Sequence, residues 1–216
     1  MRAGRVVSWP QYPMMQEPAM SADEPEQSSA HADEGPPKGG GPGNEGGAPL
    51  DEAALHARLR AIFPDGLPNI YRMILRNPRV MAGLVSMKEY LADGALTETE
   101  RCLVALEVAN YCECSYCIVA LSHYSVHDLG VPDAVVDAAA KGEMPGEARL
   151  DLVIGATRAL LASRGKLGRA ELASYRDRGL SFPELLEIIG VIGEYTVATF
   201  SANLDRTRID PEYRLG

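Results

Sequence analysis

From Pro49 onward, apolar residues recur at three- and four-residue spacing, and runs of strict alternation, the mark of a half-buried strand, are almost missing. That period turns one face of each segment towards a core and predicts helices over 51–62, 68–76, 79–92, 98–111, 114–129, 133–140, 147–163, 169–178 and 182–205. Local chemistry marks several ends. Thr97 with Glu100, and Ser181 with Glu184, have the spacing of a capping box, in which hydroxyl and carboxylate each accept an otherwise orphaned N–H. Pro183 falls in a first turn, where its missing N–H costs nothing. Gly142, Gly165 and Gly179 stand where helices should stop. Short links between successive helices make neighbours antiparallel, so the expected fold class is all-α, a compact helical bundle, with no internal repeat of a convincing period.

The first stretch reads differently. Residues 1–50 are rich in Pro, Gly, Ser, Glu and Asp, culminating in Gly35-Pro36-Pro37-Lys38-Gly39-Gly40-Gly41-Pro42-Gly43, and offer too little apolar surface to offset chain entropy. The expected organisation is a disordered acidic tail over 1–50 and one helical domain over 51–216. Trp9 and His31 fall in the tail and are assigned no role. The net charge of -9 and a pI near 5.0 leave no basic stripe for a phosphate backbone, so nucleic acid is not an expected partner. No unbroken apolar run approaches the roughly 20 residues that cross a bilayer, and Met1 to Arg5 is not followed by a signal-peptide core. The expected location is the cytoplasm, without membrane contact.

Cysteine placement adds the first chemistry. Cys102, Cys112, Cys114 and Cys117 crowd together, whereas a structural staple joins distant segments. In Cys114-Ser115-Tyr116-Cys117 the two thiols lie on neighbouring turns, a geometry that suits cycling between dithiol and disulfide. A helix beginning near Cys114 would stabilise a thiolate there through its free N–H groups and dipole. Two other readings of the spacing stay open. Cys114, Cys117, Ile118, Leu121 and Tyr124 form one helical stripe that core packing would explain. A metal would need Cys102 or Cys112, with His123 or His127, to complete a tetrahedral set, and Cys112-x-Cys114-x-x-Cys117 matches no common zinc pattern. Neither a metal nor a cofactor is expected.

The run Leu96-Thr97-Glu98-Thr99-Glu100-Arg101-Cys102-Leu103, followed by Cys114-Ser115-Tyr116-Cys117, resembles the carboxymuconolactone decarboxylase-like superfamily, and within it the alkylhydroperoxidase D-type and peroxidase-related branch. The pattern of that branch is Leu-Thr-x-x-Glu-Arg-Glu-Leu, then Cys-x-Tyr-Cys, then a His four residues beyond the second Cys. The likeness continues into Leu150 to Ser163, Gly179 to Glu184 and the last helix ending at Asp205, so it covers most of 51–216. The resemblance implies an alkylhydroperoxidase D-like bundle, a homo-oligomer (trimer or hexamer), and a thiol-dependent peroxidase. In such a peroxidase the cysteine pair reduces a hydroperoxide and a thiol reductant restores the pair.

By resemblance Cys117 attacks and Cys114 resolves, whereas the helix-end effect makes Cys114 the more acidic thiol. The position of the family's catalytic Glu holds Cys102, and that of its His holds Leu121, so both members of the proton relay are replaced. Candidate supporting residues are Glu98, one turn before Cys102 on the same face, and Tyr124, about 20° from the direction of Cys117. His123 is a third, about 120° around the helix from Cys117, and Cys102 itself offers another thiol. A second class of function is a redox sensor or scaffold that kept the thiols and lost the relay. The lactone-decarboxylating branch generally lacks the cysteine pair, which argues against that activity here.

Overall fold

The structure, a computed structural model, describes residues 50–214. The tail expected over 1–50 lies outside the described residues, Leu50 apart. Among the described residues there is no strand, and the helices are α1 (Glu52–Ile62), α2 (Asn69–Ile74), α3 (Pro78–Ala92), α4 (Glu98–Tyr111), α5 (Ser115–His127), α6 (Asp133–Ala140), α7 (Ala148–Ser163), α8 (Arg169–Asp177) and α9 (Phe182–Asp205). A 3-10 turn, Pro211–Arg214, is the last described element.

Helix α4 is buried at every position from Cys102 to Ala109. A helix with no polar face is stable only in the middle of a bundle, and α5, α6, α7 and α9 pack around it. Helices α2 and α3 lie on α9, and α1 lies on α3. At Gly190 a Cβ would come within 2.9 Å of Leu91 Cδ2, so the glycine lets α9 close on α3.

Both capping boxes form. Glu100 N–H donates to Thr97 Oγ1 at 3.2 Å, and Thr97 N–H to Glu100 Oε2 at 2.7 Å. In α9, Ser181 N–H donates to Glu184 Oε2 at 2.7 Å. Arg149 of α7 bonds the free oxygens of both capping carboxylates, Glu100 and Glu184, so one guanidinium ties the starts of α4 and α9 together. Further along, Arg158 of α7 holds the fully buried Glu107 of α4 by two 2.7 Å bonds, from Nε and Nη2.

Helix α9 is the longest of the described helices. With 24 residues and a mean hydropathy of 1.4 over its most apolar stretch, it is long and apolar enough to cross a membrane by length and composition. Glu184, Glu187 and Glu194 interrupt its apolar residues, so no unbroken run announces it. One face of α9 packs on α2, α3, α4, α5 and α7. The opposite face exposes Phe182, Leu186, Ile189, Val197, Phe200 and Leu204, which fall within an arc of about 80° at 100° per residue.

Candidate thiol site

The turn between α4 and α5 builds the site. Glu113 N–H donates to Asn110 O at 3.0 Å and Cys114 N–H to Ala109 O at 2.9 Å, the two bonds of a Schellman motif. Glu113 has φ 51°, the left-handed region in which a side chain costs about 1 kcal/mol relative to glycine. The turn delivers Cys114 to the N-cap of α5 in extended conformation, and its Sγ accepts from Cys117 N–H at 3.4 Å.

The two sulfurs are driven apart in acidity. The Cys117 thiol donates to Cys114, and the N–H groups of Cys117 and Tyr116 point at the same sulfur; against the cost of burial these lower Cys114 from 9.0 to about 7. Cys117 is raised because it holds the shared proton against the Cys114 thiolate and is itself buried. The pair therefore titrates as a unit whose first proton leaves near neutrality. Reduced protein is expected to gain one thiolate near pH 7, read as ultraviolet thiolate absorbance, and Cys114→Ser to lose that step; an unchanged titration would rule out the N-cap assignment. Folding stability follows the same sign. Between about pH 7 and 9 the folded pair binds fewer protons than the unfolded chain, so its contribution grows as pH rises to 9 and is lost as pH falls through 7; above 9 the raised Cys117 still holds its proton and the sign reverses.

Access is split the other way. A cavity of about 180 Å³ is walled by apolar residues, by Tyr71, Tyr195 and Tyr213, and by Lys88. Cys117 and Leu121 line it, whereas Cys114 does not and has no exposed surface. Tyr116, between the cysteines, donates to Asp210 Oδ2 at 2.7 Å and accepts from Ile70 N–H at 3.4 Å. Asp210 also accepts from Asn69 N–H at 3.0 Å. These bonds pin the C-terminal segment over the start of α2 and set Tyr213 against the cavity.

The remaining residues singled out by sequence fall into two groups. Cys102 is buried in α4, with Sγ 3.0 Å from Ser125 Oγ and 3.9 Å from Leu121 O, and burial raises its thiol. It faces a second cavity of about 210 Å³ together with Glu98 and Tyr124. The Tyr124 hydroxyl donates to the Glu98 carboxylate, so these two residues meet across α4 and α5. His123 lines neither cavity: its ring lies 4.3 Å from that of His127 and 5.1 Å from that of Tyr213. Cys112 ends α4, half-buried, and its carbonyl accepts from Asn203 Nδ2 at 2.9 Å. Among the described residues no group of three or more His, Cys, Asp or Glu is arranged to hold a metal.

Sequence reasoning missed Tyr71, Lys88, Glu194 and Tyr195, which come from α2, α3 and α9. Only Glu194 left a signal, as the lone charge in the apolar run Ile188 to Phe200.

No family model matches the chain, and no curated protein matches it. Solved structures do. A peroxidase-related protein from a Silicibacter species superposes with a TM-score of 0.64 at 18% identity, over 78% of this chain and 91% of that one. A peroxidase-related protein from Ralstonia eutropha, described as an alkylhydroperoxidase AhpD core, gives 0.65 at 19% identity over 76% and 88%. The debrominase Bmp8, bound to 2,3,4-tribromopyrrole, gives 0.62 at 16% identity over 76% and 89%. The chain shares the helical fold of these structures, that of an alkylhydroperoxidase AhpD core.

Proposed function

We propose that this protein is a thiol-dependent peroxidase in which Cys114 and Cys117 reduce an organic hydroperoxide and a dithiol restores them. The observation that carries the reading is a buried pair one turn apart, with Cys114 Sγ accepting from Cys117 N–H at the start of α5 and Cys117 opening on a cavity. In the reacting state Cys114 is the thiolate and Cys117 the thiol. As Cys117 Sγ attacks the distal peroxide oxygen, the S–O bond forms, the O–O bond breaks, and the Cys117 proton passes to Cys114. The leaving alkoxide then needs a proton. The sulfenic acid on Cys117 condenses with the Cys114 thiol to a disulfide and water, and dithiol exchange returns both thiols. Acidity on one sulfur and access on the other are both used, with Cys114 acting first as base and then as resolving thiol. The apolar wall of the cavity favours an organic hydroperoxide over hydrogen peroxide.

Hydroperoxide consumption by the full chain with a dithiol reductant tests the reading, alongside the loss of two hydrogens from the peptide carrying residues 114–117. No consumption of cumene hydroperoxide, a fatty-acid hydroperoxide or hydrogen peroxide would overturn it. Reversible disulfide formation without turnover would favour a redox sensor, and bromide release from 2,3,4-tribromopyrrole would favour the chemistry of the debrominase neighbour.

We also infer that a second copy of this chain covers the exposed stripe of α9, as the homo-oligomer expected by resemblance requires. Apolar residues recurring at three and four along one face make the seam a helix uses to pack on another. Light scattering is expected to give a multiple of the chain mass of 23.3 kDa and Phe200→Glu to lower it; a monomeric native protein would refute the assignment.

A further inference from the structure

Glu194 is a buried carboxyl that the chemistry at the cysteines leaves unused. It projects from α9 with 6% of its surface exposed. It takes part in none of the ion pairs of the described residues. Lys88 of α3 and Arg101 of α4 are close enough to lower its pKa, but burial outweighs them and raises it. Arg101 is already engaged, donating to the Leu96 carbonyl. A carboxyl placed this way costs stability unless something uses it.

Its surroundings point to the use. Glu194 lines the second cavity, and that cavity shares Lys88, Tyr124 and Tyr195 with the cavity that Cys117 lines. The carboxyl and the reacting sulfur therefore line neighbouring cavities that have three wall residues in common. We propose that Glu194 is the proton donor for the reaction at Cys117, delivering its proton past Lys88, Tyr124 and Tyr195 to the oxygen that leaves when the peroxide bond breaks. This rests on the peroxidase reading and supplies the step it lacked.

The step balances. Cys117 attack leaves Cys117 sulfenic acid, Cys114 thiol and an alkoxide; the alkoxide takes the Glu194 proton and becomes an alcohol, leaving the Glu194 carboxylate. Condensation of sulfenic acid and thiol releases water without further proton demand. The dithiol reductant reduces the disulfide to two thiols. Cys114 then loses its proton near pH 7, and that proton recharges Glu194.

The other titratable groups around Glu194 are less suited. Glu98 is exposed, and its carboxylate accepts the Tyr124 hydroxyl. Tyr71, Tyr124 and Tyr195 are raised by burial and by nearby acids, so they hold their protons and can only pass one along. The raised Cys102 thiol is engaged with Ser125. Lys88 and Arg101 set the field that keeps the carboxylate form reachable once the proton has gone.

Glu194→Gln in the full chain is the test, because glutamine keeps the shape and strands no partner. The kcat for cumene hydroperoxide is expected to fall about 100-fold or more with KM little changed, and the decline of rate towards high pH that marks loss of the Glu194 proton is expected to vanish. Exchange of the reduced pair with an aromatic disulfide, which needs no proton at a leaving oxygen, should keep its wild-type rate. Turnover by the wild type that is matched by the glutamine variant overturns the role of Glu194 and leaves the peroxidase reading standing; no wild-type turnover overturns both. If the glutamine variant is unstable, Glu194→Asp decides: retained turnover with a shifted high-pH limb supports the donor, and a loss as deep as the glutamine variant's overturns it.

Discussion

Replacing Cys117 by serine is expected to abolish hydroperoxide turnover, with a loss on the order of a thousand-fold or more, because it removes the sulfur that meets the cavity. Cys114 would remain at the N-cap, but it has no exposed surface and lines neither cavity, so it cannot carry the reaction alone. Cys114→Ser should fail differently. Cys117 keeps its access, loses the thiolate that accepts its proton, and has no thiol to capture its sulfenic acid. A slow single turnover ending in a trappable sulfenic acid is the expected result, read by mass spectrometry after dimedone treatment. The reverse outcome, sulfenic acid trapped at Cys114 in the Cys117→Ser protein and no reaction in the other, would reassign the attack to Cys114.

Arg158→Ala should carry the largest cost in stability, about 3 to 5 kcal/mol, because it leaves Glu107 charged and alone in the centre of the bundle. For a domain of this size that corresponds to roughly 10 °C or more in Tm. The loss should be smaller at pH 5 than at pH 8. Burial already raises Glu107, and without the guanidinium it rises further, so the folded state binds a proton that the unfolded state does not and stability falls as pH rises. The double change Glu107→Leu with Arg158→Met should recover much of the loss, since it removes the charge along with its partner. A loss below about 1 kcal/mol for Arg158→Ala, by denaturant titration, would show that water reaches Glu107.

Much of the fold was legible. Helix α4 was expected over 98–111 and runs Glu98–Tyr111, and the last helix was expected over 182–205 and runs Phe182–Asp205. Their starts are set by Thr97 with Glu100 and Ser181 with Glu184, bonds between groups three residues apart. The turn into α5 was harder to read, because its left-handed residue is Glu113 where a glycine would have announced a Schellman stop.

The site was legible in part. Spacing located Cys114 and Cys117, and helical geometry placed Glu98 on the face of Cys102, where it meets Tyr124. The same geometry gave His123 no route to Cys117, and only the packing of Pro211–Arg214 shows its ring against Tyr213 instead. Lys88, Tyr71 and Tyr195 left no signal, since they line the cavities from other helices, and Glu194 left only its place as the lone charge in an apolar run.

By itself the sequence determined where α4 and α9 begin and end and that two thiols stand one turn apart, because caps, breakers and helical spacing act over three or four residues. The tertiary structure decided that the acidic sulfur is the enclosed one, that its partner meets a cavity, and that a buried acid lines a neighbouring one. Those properties depend on how helices remote in sequence rotate and close around α4, and no local preference specifies that packing.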